Sequence, residues 1–569
     1  MVLLSLPIIW AVISQSILCA AQQRCQTQAP GGACTATTFN SVLSSFGASM
    51  ETIGIVPSGG CFREDSYRNI ASRDSGRDNY AASVGGSCGM IVKSGTYRFG
   101  LLLPDNSTWK GSLLTIGNYA FAGGINWIDM GPGVSIYGMA TMSTDTGHNS
   151  SESNMAWAKG NTQAQEDWGW RAMNGSVAIA KKMTDAYYSQ FDRQLSFSYY
   201  SGCSTGGRQG LKQIQVDQSS FNGVLVGAPA WEQYGLMPWI GKLGTDYANA
   251  GANGSFTLNQ WYGMIIQIRT VCDLNDSVAD NIISRPDLCS FDALAADYLN
   301  CSGQFAIPGY CLNPSQIPTA AKLYKDYIVG GDIAFHAPEL GSEADIGLTG
   351  GYLNGAAPTG FDREWAKNFL GYPDDYTFSD SAYVDGKSKN PGGATANAFN
   401  IDQFNQNRGK IIMYQGLADG IIPAKGTTNY YEQTKSQMGG NIDSFFRYFE
   451  VPGMHHCWLS DTDSDPAGAN YFAPWMFGGG GQAGITPTTE SSQVLQKPEF
   501  DAFAALQQWV EAAAKDTTTP GPSSITATTW FTGNQTVWRQ RPVCAYPQRA
   551  VLTAGAAPNL KSSWSCSSS

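Results

Sequence analysis

Charge is scarce in this chain, and so is histidine. Of 569 residues only 14% are Asp, Glu, Lys or Arg, and only four are His. Acidic residues outnumber basic ones by 46 to 35, a formal net charge of −11. Nucleic-acid binders present a basic face, so that class of partner is disfavoured. No CxxC pair occurs, and His148, His336, His455 and His456 do not stand among paired acids. A zinc ribbon or a metallohydrolase centre therefore lacks its donor set. Long apolar runs are missing too. Beyond the first 21 residues no segment is long and apolar enough to span a bilayer.

What is abundant is glycine, at 65 residues, and aromatic side chains, at 12%. That is a globular, loop-rich composition on a chain long enough for more than one domain. Residues 1–21 read MVLLSLPIIWAVISQSILCAA. The run is short, is interrupted by Ser14, Gln15 and Ser16, and ends in small residues. It reads as a cleaved signal peptide, although a basic n-region is lacking, and it places the protein outside the cell. Thirteen cysteines are present, and Cys19 lies in that leader. The remaining twelve are an even number in an exported chain, so six disulfides are expected. Sequons at Asn106, Asn149, Asn174, Asn253, Asn300 and Asn534 fit a secreted glycoprotein.

From Tyr97 onward the chain alternates strand and helix patterns. Strand, loop, strand and a Gly-rich turn (GNYAFAGGI) are followed by helical spacing over 168–190. A short strand from Leu195 to Tyr200 leads straight into GCSTGG, then a helix (RQGLKQIQVDQ) and the strand end at 224–229. This order predicts a parallel sheet with crossover helices. The rhythm is lost between 232 and 395, where Gly, Pro, Asp and Asn increase and four cysteines cluster. It resumes with a strand at Lys410–Tyr414, a helix near 427–438, a strand at 445–451 and a helix at 500–514. The reading is therefore an α/β fold in two parts, 22–231 and 396–569, interrupted by an inserted domain at 232–395. The tail carrying Cys544 and Cys566 reads as surface coil.

Ser204 sits in Gly202-Cys203-Ser204-Thr205-Gly206, between a predicted strand and a predicted helix. That context is what a nucleophile elbow requires: a sharp turn lifts the serine out of the sheet, and small neighbours let it pass. The helix start then offers amides to a developing oxyanion. The competing reading of the pentapeptide is a plain Gly-rich turn. A serine nucleophile needs a base, and the base an orienting acid. His456 follows a late strand in the loop PGMHHC, where the α/β-hydrolase fold carries its base. His148 reads as a solvated loop residue and His336 as a structural residue of the insertion. Asp419, in QGLADGIIP after a strand, is the acid candidate; its alternative is a turn-forming Asp before Gly420. The chain order Ser204, Asp419, His456 matches that fold. One amide of an oxyanion hole should come from Thr205, and Tyr119 in GNYAFAGG is the candidate for the other. Cys203 precedes the serine and Cys457 follows the histidine. If they pair, nucleophile and base are tied together across most of the chain. In the insertion, Asp273, Asp276 and Asp280 present hard oxygen donors at a spacing that suits Ca²⁺, although the loop is not an EF-hand. Its alternative is a solvated acidic turn.

The motifs SYYSGCSTGGRQG, GAPA, GLADGIIP, GMHHC and RPVCAYPQ, in this order from about Tyr97 to Cys566, resemble the tannase and feruloyl esterase family of fungi and bacteria. The resemblance implies an α/β-hydrolase fold with a large lid at 232–395. It implies a Ser204, Asp419, His456 triad with Cys203 bonded to Cys457, and a structural calcium in the lid. That ion would be held by the carboxylates of Asp273, Asp276 and Asp280 and the carbonyls of Val278 and Ile282. Family versions often carry Gly where this chain has Ser277 and Asn281, and a glycan on the sequon at Asn275 would conflict with the ion. No organic cofactor is implied. The activity implied is hydrolysis of phenolic acid esters, either hydroxycinnamates on plant cell-wall sugars or galloyl esters of tannins. The serine loop stands closer to the feruloyl esterase branch, since no acid follows Ser204. A hydrolase-fold binding protein without activity is the rival outside the enzymes. Pairings among Cys25, Cys34, Cys61 and Cys88 stay open, as does the oligomeric state.

Overall fold

The structure is a computed structural model that describes residues 28–57, 60–63, 80–81, 84–347, 352–354, 357–457, 469–472, 495–531 and 537–568. The predicted signal peptide and the sequon at Asn534 lie outside the described residues. The chain divides into two compact units. The first is drawn from Met1–Ile116, Gly123–Ser151 and Ala172–Ser198, the second from Gly117–Ala122, Glu152–Arg171 and Tyr199–Ser569.

In the first unit the strands β1 (Ala48–Ile55), β2 (Ser87–Ser94), β3 (Tyr97–Pro104), β4 (Ser112–Ile116) and β5 (Ala140–Thr144) lie in the order β1-β2-β3-β5-β4. The first three connections are antiparallel, and β4 runs parallel to β5. Every residue of β4 and β5 is buried, so these strands are covered on both faces. Helices α1 (Ala36–Ser45), α2 (Trp127–Ser135) and α3 (Ala172–Tyr188) belong to the same unit. Cys34 pairs with Cys88, and Cys61 is also disulfide-bonded. His148 departs from its sequence reading as a solvated residue. Its Nδ1 accepts the Ser150 amide at 3.3 Å, and burial pushes its pKa down to about 3.

The second unit carries the all-parallel part of the sheet. Strands β6 (Phe197–Cys203), β7 (Gly223–Gly227), β8 (Lys410–Gly416) and β9 (Phe446–Val451) run parallel in that order. α4 (Thr205–Val216) makes the crossover from β6 to β7 and α8 (Ala424–Gln437) the one from β8 to β9. Among the other helices of this unit are α5 (Gln233–Asn249), α6 (Leu258–Cys272), α7 (Glu343–Gly347) and α9 (Ala502–Lys515). Register aligns the strand ends. Cys203 and Tyr414 both stand opposite Gly227, and Gly416 stands opposite Val451. The carboxyl ends of β6, β8 and β9 therefore finish level, with β7 between β6 and β8, and the loops after them open on one edge, where α/β sheets carry their sites. This is the α/β-hydrolase arrangement read from the sequence.

The tail is not surface coil. β10 (Ser524–Phe531) pairs antiparallel with β11 (Val537–Cys544), and β12 (Arg549–Leu552) with β13 (Trp564–Ser567). Ile525, Ala527 and Val543 are buried there, and Cys544 is bonded to Cys566. Thr and Ser hide the apolar alternation of these strands, since Thr526 and Thr528 are buried polar positions. Among the described residues no helix is long and apolar enough to cross a membrane.

Candidate active site

The turn after β6 puts Ser204 at φ 62°, ψ −124°, a conformation a residue with a side chain rarely adopts. It is over-determined by its neighbours. The Ser204 amide donates to Gly227 O at 3.0 Å, and its carbonyl accepts from Arg208 N at 3.0 Å and Ala230 N at 3.1 Å. The elbow also needs bare backbone on both sides. A Cβ on Gly202 would lie 2.8 Å from the Gly206 backbone, and one on Gly117 only 2.7 Å from Gly206 Cα. The loop 117–122 is pinned to α4 by an amide pair. Asn118 N donates to Gln209 Oε1 at 2.9 Å, and Gln209 Nε2 donates to Asn118 Oδ1 at 3.2 Å. Tyr119 and Thr205 consequently line the same cavity as Ser204.

Asp419 is fully buried in the loop after β8. Its Oδ1 accepts the amides of Ile421 and Ile422 at 2.9 and 2.7 Å. Its Oδ2 accepts Gln415 Nε2 at 2.9 Å and lies 2.9 Å from His456 Nδ1. With the carboxylate so fixed, the imidazole is oriented through Nδ1 and its Nε2 is the other titrating edge. Burial pushes the His456 pKa down, but the charge of Asp419, their hydrogen bond and the charge of Asp345 outweigh it, so the net shift is upward. Cys203 is bonded to Cys457, with 5.9 Å between their Cα atoms. The turn that sends the Cys457 side chain back toward the elbow has φ 71°.

Ser204, His456 and Cys457 share a cavity of about 320 Å³. Its walls are mainly apolar. Leu236, Met237, Tyr352 and Phe361 come from the long segment between β7 and β8, and Ile421 and Ile422 from the loop after β8. His336 lies apart from this cavity and faces Asp326, Nδ1 to Oδ2 at 3.6 Å.

The acidic loop begins where α6 ends. Ser277 and Asn281 both take the left-handed conformation, at φ 66° and 64°. The chain thereby wraps round Asp273, whose Oδ1 accepts the amides of Asp280 and Ile282 at 3.3 and 3.0 Å. Asp276 Oδ1 accepts the Val278 amide at 2.9 Å, and Asp280 Oδ2 is bonded to Arg541. Hard oxygen donors on a wrapped loop suit Ca²⁺ in kind. Among the described residues, however, no three His, Cys, Asp or Glu side chains are gathered at metal-holding distance. The disulfides Cys272–Cys289 and Cys301–Cys311 brace this region.

Sequence reasoning missed three groups at this edge. Gln415 and Gln209 carry no motif, since a buried amide on a strand or helix reads as noise in an apolar pattern. Asp345, on the short helix α7, accepts the backbone amides of His456 at 2.9 Å and Gly420 at 3.3 Å through Oδ2. Its Oδ1 lies 3.2 Å from His455 Nδ1.

Comparison with known proteins places this geometry in a group. The family model described as tannase and feruloyl esterase matches residues 89–372 and 392–567. The "Probable feruloyl esterase B-1" of Aspergillus oryzae is 28% identical over 475 residues, which cover 82% of this chain and 80% of that protein. The crystal structure of feruloyl esterase B from Aspergillus oryzae superposes with a TM-score of 0.76 at 24% identity, covering 94% of this chain and 99% of the other. The tannin acyl hydrolase of Aspergillus niger gives 0.67 at 19% identity, covering 94% and 95%. At these identities the two structures speak for the fold.

Proposed function

Because this chain belongs to the tannase and feruloyl esterase family, and is thereby a carboxylic ester hydrolase, we propose that it releases hydroxycinnamate-type acids such as ferulate from plant-derived esters by a Ser204-His456-Asp419 mechanism. The observation that carries this reading is the pairing of a strained Ser204 elbow with an Asp419-oriented His456 on one apolar cavity. His456, with its Nδ1 proton directed at Asp419, takes the Ser204 proton through Nε2 as Ser204 attacks the ester carbonyl. The amides of Thr205 and Tyr119 hold the oxyanion. Collapse breaks the ester bond, and the alcohol leaves with the proton from His456. Water, deprotonated by His456, then attacks the acyl-enzyme, and the free acid departs as Ser204 is reprotonated. A cavity of about 320 Å³ with Phe361, Leu236 and Met237 in its walls suits a planar aromatic acyl group.

The chain acts outside the cell in this reading, on small phenolic esters or feruloylated polysaccharide, and is N-glycosylated with the Asn275 sequon left bare. We further propose that the loop from Asp273 to Ile282 takes a structural Ca²⁺ through the carboxylates of Asp273, Asp276 and Asp280 and the carbonyls of Val278 and Ile282. Binding would require the three carboxylates to draw together and Asp280 to share its charge between the ion and Arg541, and the ion would supply nothing to the reaction itself. A tannase is the second reading, supported by the family membership and the fold shared with tannin acyl hydrolase. A serine-reactive phosphonate should label Ser204 of the folded protein; absence of label would refute the mechanism. Rates on methyl ferulate, methyl caffeate and methyl gallate, measured side by side, separate the two substrate readings, and we expect ferulate to be preferred.

A further inference from the structure

The acid and base loops meet a third element, and it comes from the insertion. Asp345 is 4% exposed and stands on α7, which packs flush on the acid loop. A Cβ on Gly420 would fall 2.6 Å from Ser342 O and 3.0 Å from Asp345 Cβ. One carboxylate oxygen of Asp345 accepts amides from both catalytic loops, Gly420 N at 3.3 Å and His456 N at 2.9 Å. The other faces His455 Nδ1 at 3.2 Å. Resting on the acyl-transfer reading above, we propose that Asp345 is a positioning residue: it clamps the Asp419 loop to the His456 loop and adds a second fixed negative charge beside the catalytic imidazole.

Two features set this apart from ordinary capping of loop amides. First, a neutral side chain could accept both amides, whereas a carboxylate there places charge in a site closed to water. That charge is retained. Burial works against it, but His455, His456 and the amide bond from His456 outweigh burial and hold the Asp345 carboxyl below the usual range. Second, the charge is close enough to favour the imidazolium of His456 alongside Asp419. The charged or titratable groups around His456 are Asp419 from the acid loop, Asp345 from α7, the adjacent His455 and, in the wall of the same cavity, Glu152. Tyr352 of the insertion faces both carboxylates, and burial together with their charges keeps its phenol neutral.

The test is kcat/KM against pH for the full-length wild type, Asp345→Asn and Asp345→Glu, on methyl ferulate. Asparagine can still accept the amides but carries no charge. Without that charge His456 loses its proton more readily, so the acidic limb should move to lower pH, by about half a unit or more. The loosened loops should lower kcat about tenfold with KM little changed. Asp345→Glu keeps the charge and displaces it, so its limb should stay near that of the wild type while kcat still falls. An acidic limb of Asp345→Asn coincident with the wild type would overturn the proposal. Should Asp345→Asn not fold, wild-type kcat in Asp345→Glu would overturn it instead. Phosphonate labelling of the wild type keeps the two readings apart. An unlabelled wild type refutes acyl transfer by Ser204, whereas a labelled, active wild type with an unmoved limb in the variant refutes the role of Asp345 alone.

Discussion

Replacing Cys203 and Cys457 together by alanine separates what the disulfide does for stability from what it does for the reaction. The bond closes a loop of 254 residues. Chain entropy assigns such a closure about 5 kcal/mol of stabilisation through the unfolded state, as an upper figure. Two disulfides nested in that loop close only 17 and 10 residues, and shortening the loop by these amounts changes the figure by about 0.1 kcal/mol. A loss of up to about 5 kcal/mol is a large share of a typical folding free energy, so the denaturation midpoint should drop clearly. The elbow itself should survive, because Ser204 is held by Gly227 O and by the amides of Arg208 and Ala230. The base loop should also survive, held by Asp345 and by Ala418 N, which donates to Met454 O at 3.0 Å. What disappears is the fixed distance between them. A catalytic group displaced by about 1 Å can cost about a hundredfold; with the other ties intact we expect about tenfold in kcat. The assay is kcat on methyl ferulate at a denaturant concentration where circular dichroism shows both proteins folded. Full wild-type kcat in the folded double variant would refute a positioning role for the bond, whatever happens to the midpoint.

Three further outcomes are expected. Gly416→Ala would place a Cβ 2.1 Å from Met454 O and 2.7 Å from His455 O; it should destabilise by about 1–3 kcal/mol and lower kcat, read by chemical denaturation and steady-state kinetics. Because the His456 pKa is raised in the folded enzyme and the reaction needs its neutral form, the acidic limb of kcat/KM should lie above the ordinary histidine value of 6.5. The same shift contributes stability that is present below the unfolded value and lost as pH rises through the folded one; a limb below 6.5 would contradict the Asp419 coupling. Removal of calcium with EDTA should lower the melting temperature while leaving kcat at 25 °C nearly unchanged, and an identical melting curve after exhaustive dialysis would argue against the ion.

The grouping of Ser204, Asp419 and His456 was legible because three different signals coincided. Ser204 lay between a strand and a helix, Asp419 and His456 each followed a strand, and with only four histidines few alternatives had to be weighed. The register of β6, β8 and β9 then does in space what the chain order suggested. The tail failed for the opposite reason: its strands bury Thr526, Thr528, Arg539 and Arg541, so polarity disguised them. His148 misled because a polar neighbourhood in sequence says nothing about what folds over it. Asp345 was out of reach altogether. It precedes His456 by 111 residues, in a stretch without rhythm, on a helix one turn long. Its meaning exists only once Gly420 is seen to have no room for a side chain.

That contact bears on how such enzymes can be recombined. A lid that merely covered its pocket could be exchanged between relatives to transfer substrate preference, with the hydrolase core as a neutral chassis. Here the segment that supplies Leu236, Met237, Tyr352 and Phe361 to the pocket also supplies the carboxylate that receives the His456 and Gly420 amides. A graft of 232–395 from another member would import a foreign partner for both loops. Chimeras that leave Ser342–Gly347 with the host core should keep their turnover, and those that carry it over should need compensating changes at Gly420 and His455.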